Sequence, residues 1–410
     1  LSISGGRLAA PLVLSSTVSK GQFAANLSRD LLESLGNGTY QLTVRASDAA
    51  GNAAIEVRQA LRVAINTTPS AGKVQDGYVS GATVFADLDS DGILDPGEVS
   101  TTSDALGNFS LSVSIGNVVA VGGRDISTNL PLKTILKAPA GATVINPLTT
   151  LVSALVENGT AASEAQKLVI QSLGLPSTLS LNSFDPLQVA ASASASDAQK
   201  RDALLVYKAS ALVANVLTQT AATVVGAAPS LNTTEAASAA ANAMAGLISQ
   251  GKSTLNLSEA STLKAVLNAA AKTTGTESGI SKVVDQISSV MATTNAAVSA
   301  IDPSSRDVLG VLQSVVKAQV VAQGEAAIAL TAAAASGQTN NLLSSFSGAA
   351  LTSKLDTAAV GSIAQGLDVV TEQTPAGGGG RGSESDSGSD GQIVVGNPGG
   401  DRESGGGGGG

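Results

Sequence analysis

The stretch "DLDSDGILDPGE", Asp87–Glu98, gathers five carboxylates into twelve positions of a chain in which only 13% of residues are charged. Asp87, Asp89, Asp91, Gly92 and Glu98 fit the pattern D-x-[DN]-x-[DN]-G-x5-E along its whole length. Calcium takes six to eight oxygens in a flexible shell, and this spacing supplies them. Alternate carboxylates at Asp87, Asp89 and Asp91 fold around one ion. Gly92 permits the sharp reversal that follows, and Ile93 offers its backbone carbonyl. Asp95 binds directly or through water, and Glu98 closes the shell with two oxygens. A many-carboxylate cage suits Ca2+ better than the smaller Mg2+. The competing reading is a solvated acidic turn chosen for Asp and Gly turn propensity. A turn needs one or two such residues, and it does not need a Glu eleven places after the first Asp.

The flanks decide what carries the loop. "SGATVFA" (80–86) before it reads as a strand, and Pro96-Gly97 with "VSTTS" after it argue against a following helix. The expectation is a calcium loop on a β hairpin rather than between two helices. Such a site staples a structure; it does not open a Met-lined groove as a sensor does.

Composition narrows the remaining chemistry. Cys and His are both absent, which excludes disulfides, zinc sites of the usual kind, a Cys nucleophile and a Ser-His-Asp triad. Net charge is −9, so phosphate backbones are repelled and nucleic acid is not expected as a partner. Aromatic residues make up 2% and Trp is absent, so the cores must be Leu, Val, Ile and Ala. In the helical part the acids from Glu157 to Asp356 form no recognisable paired-carboxylate constellation, and most suit helix caps or solvated faces. A non-enzymatic protein is therefore expected. The alternatives are an accessory region of a larger secreted hydrolase and a helical self-assembly module.

The elements that would position these residues follow from periodicity. In "GTYQLTVRASDAAGN" (38–52), Tyr40, Leu42, Val44 and Ala46 alternate with Gln41, Thr43, Arg45 and Ser47, the period of a half-buried strand. "IEVRQALRVAI" (55–65) is a further strand and "NTTPSAG" (66–72) a linker. "DALGN" (104–108) is a turn before the alternating Phe109, Leu111 and Val113, and "NVVAVGG" (117–123) is another strand. From about 144 the period changes. "NPLTTLVSALVENG" (146–159) has Pro just inside its start and Gly at its end, as a helix does. Apolar residues at three-to-four spacing over 280–301 and 308–320 predict amphipathic helices. The apolar stretch 203–228 contains Lys208, Asn215 and Gln219 and reads as a buried helix of a soluble domain, not a membrane span. Residues from Pro375 are Gly, Ser and acid, a flexible tail that cannot bury a core.

The fold class expected is multidomain α+β: two N-terminal antiparallel β-sandwich modules over 1–68 and 73–137, an all-α domain over 144–370, and a disordered tail over 375–410. Because residue 1 is Leu and the opening residues already read as strand, the chain is expected to be an internal or C-terminal piece of something longer.

Two stretches resemble known families. "GTYQLTVRASDAAGN" is similar to the closing hairpin of bacterial Ig-like and cadherin-like repeats. In cadherin-like repeats, Asp and Asn at such turns help bind interdomain calcium, and Asp48 and Asn52 are the matching positions, although a plain turn is the favoured reading there. "GYVSGATVFADLDSDGILDPGEVSTTSDALGNFSL" (77–111) resembles the calcium-binding B-type repeats and related prealbumin-like sandwiches of bacterial surface proteins. Thr102, Ser103, Asp104, Gly107 and Phe109 fit the second element of that pattern. The helical region looks like a domain that follows such modules in exported bacterial proteins. The resemblance implies structural calcium in a secreted adhesin or surface protein, extracellular or on the bacterial cell surface, with a protein or glycan as surface ligand.

Overall fold

A computed structural model describes residues 2–5, 8, 10–14, 17–19, 22–24, 27, 35, 38–47, 50, 52–63, 70–112, 116–251 and 254–363. Antiparallel sheets occupy the N-terminal part and helices the C-terminal part. The tail expected over 375–410, Asp48, and residues 66–69 of the expected linker lie outside the described residues.

The first sheet orders its strands Leu12–Val13, Ser2–Ser4, Gly38–Val44 and Val57–Val63. Its main hairpin pairs Gly38 with Val63 and runs in register to Val44 opposite Val57. The alternation expected from Tyr40 holds at first: Tyr40 is buried, Gln41 exposed and Leu42 half-buried. It breaks at Thr43, which is buried, while Val44 is only half-buried. Ile3, Leu35, Tyr40 and Val63 form the small core of this region.

Ser70–Val74 is strand, so the end of the expected linker is already paired. It bonds Asn108–Leu111 antiparallel and Val144–Ile145 parallel. A second sheet runs Ser100–Thr102, Thr83–Asp87, Asn117–Val121, Leu136–Ala138. Here the sequence shows near-continuous apolar runs, "TVFA" and "NVVAV", because both faces are covered. Val84, Ala86, Val118 and Ala120 face a β core with Val74, Phe109 and Ile145. Phe85 and Val119, one residue out of phase, face the other way with Ile135 and pack among Leu148, Leu151 and Val152 of the first helix. Sheet and helices thus share a core through Phe85, Val119 and Ile135, across the boundary expected at 137–144.

That helix, Pro147–Glu157, starts where the sequence signals it. Asn146 caps it: the Thr149 amide donates to Asn146 Oδ1 at 2.8 Å, and the Asn146 amide donates to Thr149 Oγ1 at 2.8 Å. Thr149 also donates to the Lys137 carbonyl at 2.8 Å, which fixes the helix to the Leu136–Ala138 strand. The longest helix, Asp197–Ala227, is mostly buried in the protein. Its length and hydropathy would let it cross a membrane, but Lys208, Asn215, Gln219 and Thr223 on it are buried among protein groups. Thr233–Ser249, Ala260–Thr274 and Val284–Ser299 pack around it in the same core. Val308–Gln319 and Ala327–Ser336 are joined without a loop by one π-helical turn, Val320–Ala326. The inserted residue of such a turn re-aims the side chains that flank it.

Candidate functional site: the acidic loop

Asp87 ends the Thr83–Asp87 strand and is paired there with Asn117, which holds it at the root of the loop. It is fully buried. Its carboxylate accepts from the Ser90 amide at 2.7 Å and from the Gly92 amide at 2.9 Å. Burial pushes the Asp87 carboxyl up to about 6, against the pull of those two amides and of Lys137. The reversal the loop needs is made by positive φ at Ser90 (65°) and Gly92 (77°). Gly92 has a second reason to lack a side chain: a Cβ there would lie 2.8 Å from Ile135 Cδ1.

The oxygens of Asp87, Asp89 and Asp91 all lie within 4.8 Å of one another. Asp95 and Glu98 stand outside that group and close the far end of the loop. Glu98 is buried and accepts from the Leu88 amide at 2.8 Å and the Asp95 amide at 3.0 Å, one on each carboxylate oxygen. Each oxygen keeps a further lone pair after that bond. The Ile93 side chain is exposed, and its amide donates to Asp91 Oδ1 at 2.7 Å. The expected ligands are therefore in one loop, but only three of the carboxylates converge. All are hard oxygen donors, the set that suits Ca2+.

Sequence reasoning missed the cation among them. Arg62, on the Val57–Val63 strand of the first sheet, donates to Asp95 Oδ2 at 2.7 Å and also to Asp89 Oδ2, and pairs with Glu98 Oε1 at 3.5 Å. The hydrogen bond to Asp95 raises the Arg62 guanidinium above its usual value, partly offset by desolvation. Thr39, the register partner of Arg62 across the hairpin, donates to the Leu88 carbonyl at 3.3 Å. One opposed pair of a hairpin thus holds both ends of the contact. The only signal in the sequence was an Arg on a strand otherwise free to face solvent. On its other side the loop borders a cleft of about 610 Å3, lined by Asp91, Ile93 and Leu94 and by Asn232, Glu235 and Asn242 of the Thr233–Ser249 helix and its cap.

The second element of the expected pattern forms a turn. Asp104 Oδ1 accepts from the Leu106 and Asn108 amides, each at 2.8 Å, and Gly107 has φ 77°. No protein-family model, curated protein or solved structure matches the chain.

Proposed function

We propose that this chain belongs to a non-enzymatic, exported bacterial surface protein in which Ca2+, held by the Asp87–Glu98 loop, staples the β regions together. The observation that carries the reading is the convergence of Asp87, Asp89 and Asp91 in a twelve-residue calcium pattern, at a loop that also grips the first sheet through Arg62. The two β regions are read as sandwich modules, spacing or presenting the helical part, and the surface ligand is a protein or a glycan. An ion at the loop would neutralise carboxylates that otherwise repel one another and would order the segment to which Arg62 is tied. Absence of Cys and a net charge of −9 agree with an exported, acidic surface protein.

Arg62 favours a second reading, in which its guanidinium serves as the permanent counter-cation of a metal-free loop. Calorimetric titration of the chelator-treated chain separates the two. Saturable 1:1 binding of Ca2+, weaker for Mg2+ and lost in Asp91→Ala, supports the calcium staple. No binding heat with either ion leaves the Arg62-closed loop. For the surface assignment, the chain should be cleaved when intact source cells are treated with protease; full protection in intact cells would sink it.

A further inference from the structure

A second carboxylate site lies away from the loop, where the β region meets the helices. Asp76 is 6% exposed and Asp125 2% exposed. The two are close: a Cβ built on Gly77, next to Asp76 in the chain, would lie 2.3 Å from Asp125 Oδ1, and the Asp125 charge acts on Asp76. Among the described residues no Lys or Arg pairs with either. The nearby Lys73 is engaged elsewhere, 3.8 Å from Asp185 and over the Tyr78 ring. Two buried like charges without a cation cannot both persist, so one proton must be held between them.

Hydrogen bonding says which carboxyl keeps it. Asp125 accepts three donors: the Ser127 amide at 2.8 Å, Ser127 Oγ at 2.7 Å and Thr128 Oγ1 at 2.8 Å. That set stabilises a carboxylate. Asp76 accepts Gln319 Nε2 at 3.1 Å on Oδ1, and the same amide donates to the Asp76 carbonyl at 3.2 Å. Its other neighbour is the amide of Gln323, whose Nε2 donates to Asn215 Oδ1 at 3.2 Å. An amide nitrogen carries two protons, so Gln323 also donates toward Asp76, which then has two amide donors against the three donors on Asp125. Gln319 ends one helix and Gln323 lies in the π-helical turn that follows it directly, so the two partners are four residues apart at that junction.

The titratable groups around the pair are Asp76 and Asp125 themselves, Tyr207 from the long helix, and Tyr78, which donates to Asp185 at 2.9 Å. None is a cation. Burial first, and the Asp125 charge second, push Asp76 up to about 8. Burial also raises Asp125. The Tyr207 hydroxyl is driven up by burial and by both acids, so it stays neutral.

We propose that Asp76, buried beside Asp125 without a cation, is a neutral carboxylic acid at neutral pH, and that loss of its proton at alkaline pH puts a second buried charge at the seam between the β region and the π-helical turn and loosens it. The direction follows from linkage. The folded chain holds a proton at Asp76 that the unfolded chain releases near pH 4, so stability is greatest at low pH within that window and falls as pH rises toward 8. Above 8 no further loss comes from this group.

The test uses the full chain. Infrared difference spectra of wild type minus Asp76→Asn at pH 7 should contain a protonated-carboxyl C=O band that disappears above pH 9. Amide exchange of residues 74–78 and 319–326, corrected for intrinsic rates, should lose protection by up to about tenfold per pH unit between pH 6 and 8. Asp76→Asn, which fixes the neutral form, should hold protection constant over that range. Asp125→Asn should move the loss to lower pH, because the charge that helps hold the proton is gone. Should Asp76→Asn fail to fold, a carboxyl-carbon NMR titration of wild type with labelled Asp gives the same reading. No protonated carboxyl at pH 7, or the same pH profile in Asp76→Asn as in wild type, overturns the proposal.

Discussion

Arg62 and Asp95 lie 2.7 Å apart, joined across 33 residues of sequence and two different sheets. The contact puts a cation of the first sheet inside a loop whose carboxylates are spaced for a metal. It follows from the register of one hairpin, in which Thr39 opposes Arg62 and both reach the loop.

Removing Arg62 should therefore weaken the seam between the first sheet and the loop. Arg62→Ala in chelator should cost about 1 kcal/mol, the scale of a partly exposed ion-pair network. Urea melts at low and high salt check this, since screening should shrink the difference at high salt. In calcium the cost should be smaller, because the ion supplies the positive charge the carboxylates need. An equal cost with and without calcium would mean that Arg62 and the ion do not share these ligands.

Gly92 answers two demands at once, a φ of 77° and contact with Ile135. Gly92→Ala should cost at least about 1–2 kcal/mol from the left-handed backbone alone, plus the clash at 2.8 Å. Ile135→Val removes the Cδ1 that the new methyl would meet. The double variant should thus be less unstable than the sum of the singles. Strict additivity in equilibrium melts would show that only the backbone matters.

Phe85, Val119 and Ile135 face the helical core, while their strand neighbours face the β core. Phe85→Ala should cost about 3–5 kcal/mol. Far-UV ellipticity at the helix minimum and strand-amide exchange should report the same transition, shifted together. A fragment covering 70–140 would expose that whole apolar face and should not fold alone. A well-dispersed NMR spectrum from the fragment would contradict this.

The helices were the most legible part of the sequence. Ile280, Val283, Val284, Ile287, Val290, Met291 and Val298 are buried, as their spacing predicts, and Ile301 at the end of the stripe is half-buried. The Asn146-Pro147 start is local chemistry, so one short stretch reveals it. Strands were legible where turns announce them, as at Asp104–Asn108. The parallel pairing of Val144–Ile145 with Ser70–Val74 was not, because two-residue strands carry no period of their own. The π-helical turn was hidden for a related reason: it inserts a single residue into an otherwise regular apolar pattern. In the acidic loop the carboxylates could be named from spacing. Arg62, Asp76 and Gln319 could not, since each acquires its role only through partners 27 or more residues away.

The calcium staple is most directly tested by the thermal midpoint of the full chain in EGTA and in excess Ca2+, for wild type and Asp91→Ala. Asp91 is exposed, so its replacement should leave the metal-free fold intact. Calcium at about 100 times its dissociation constant should add about 2.7 kcal/mol. The wild-type midpoint should rise by several degrees, and the Asp91→Ala midpoint should not move. Identical melting curves for wild type in EGTA and in calcium would contradict the account.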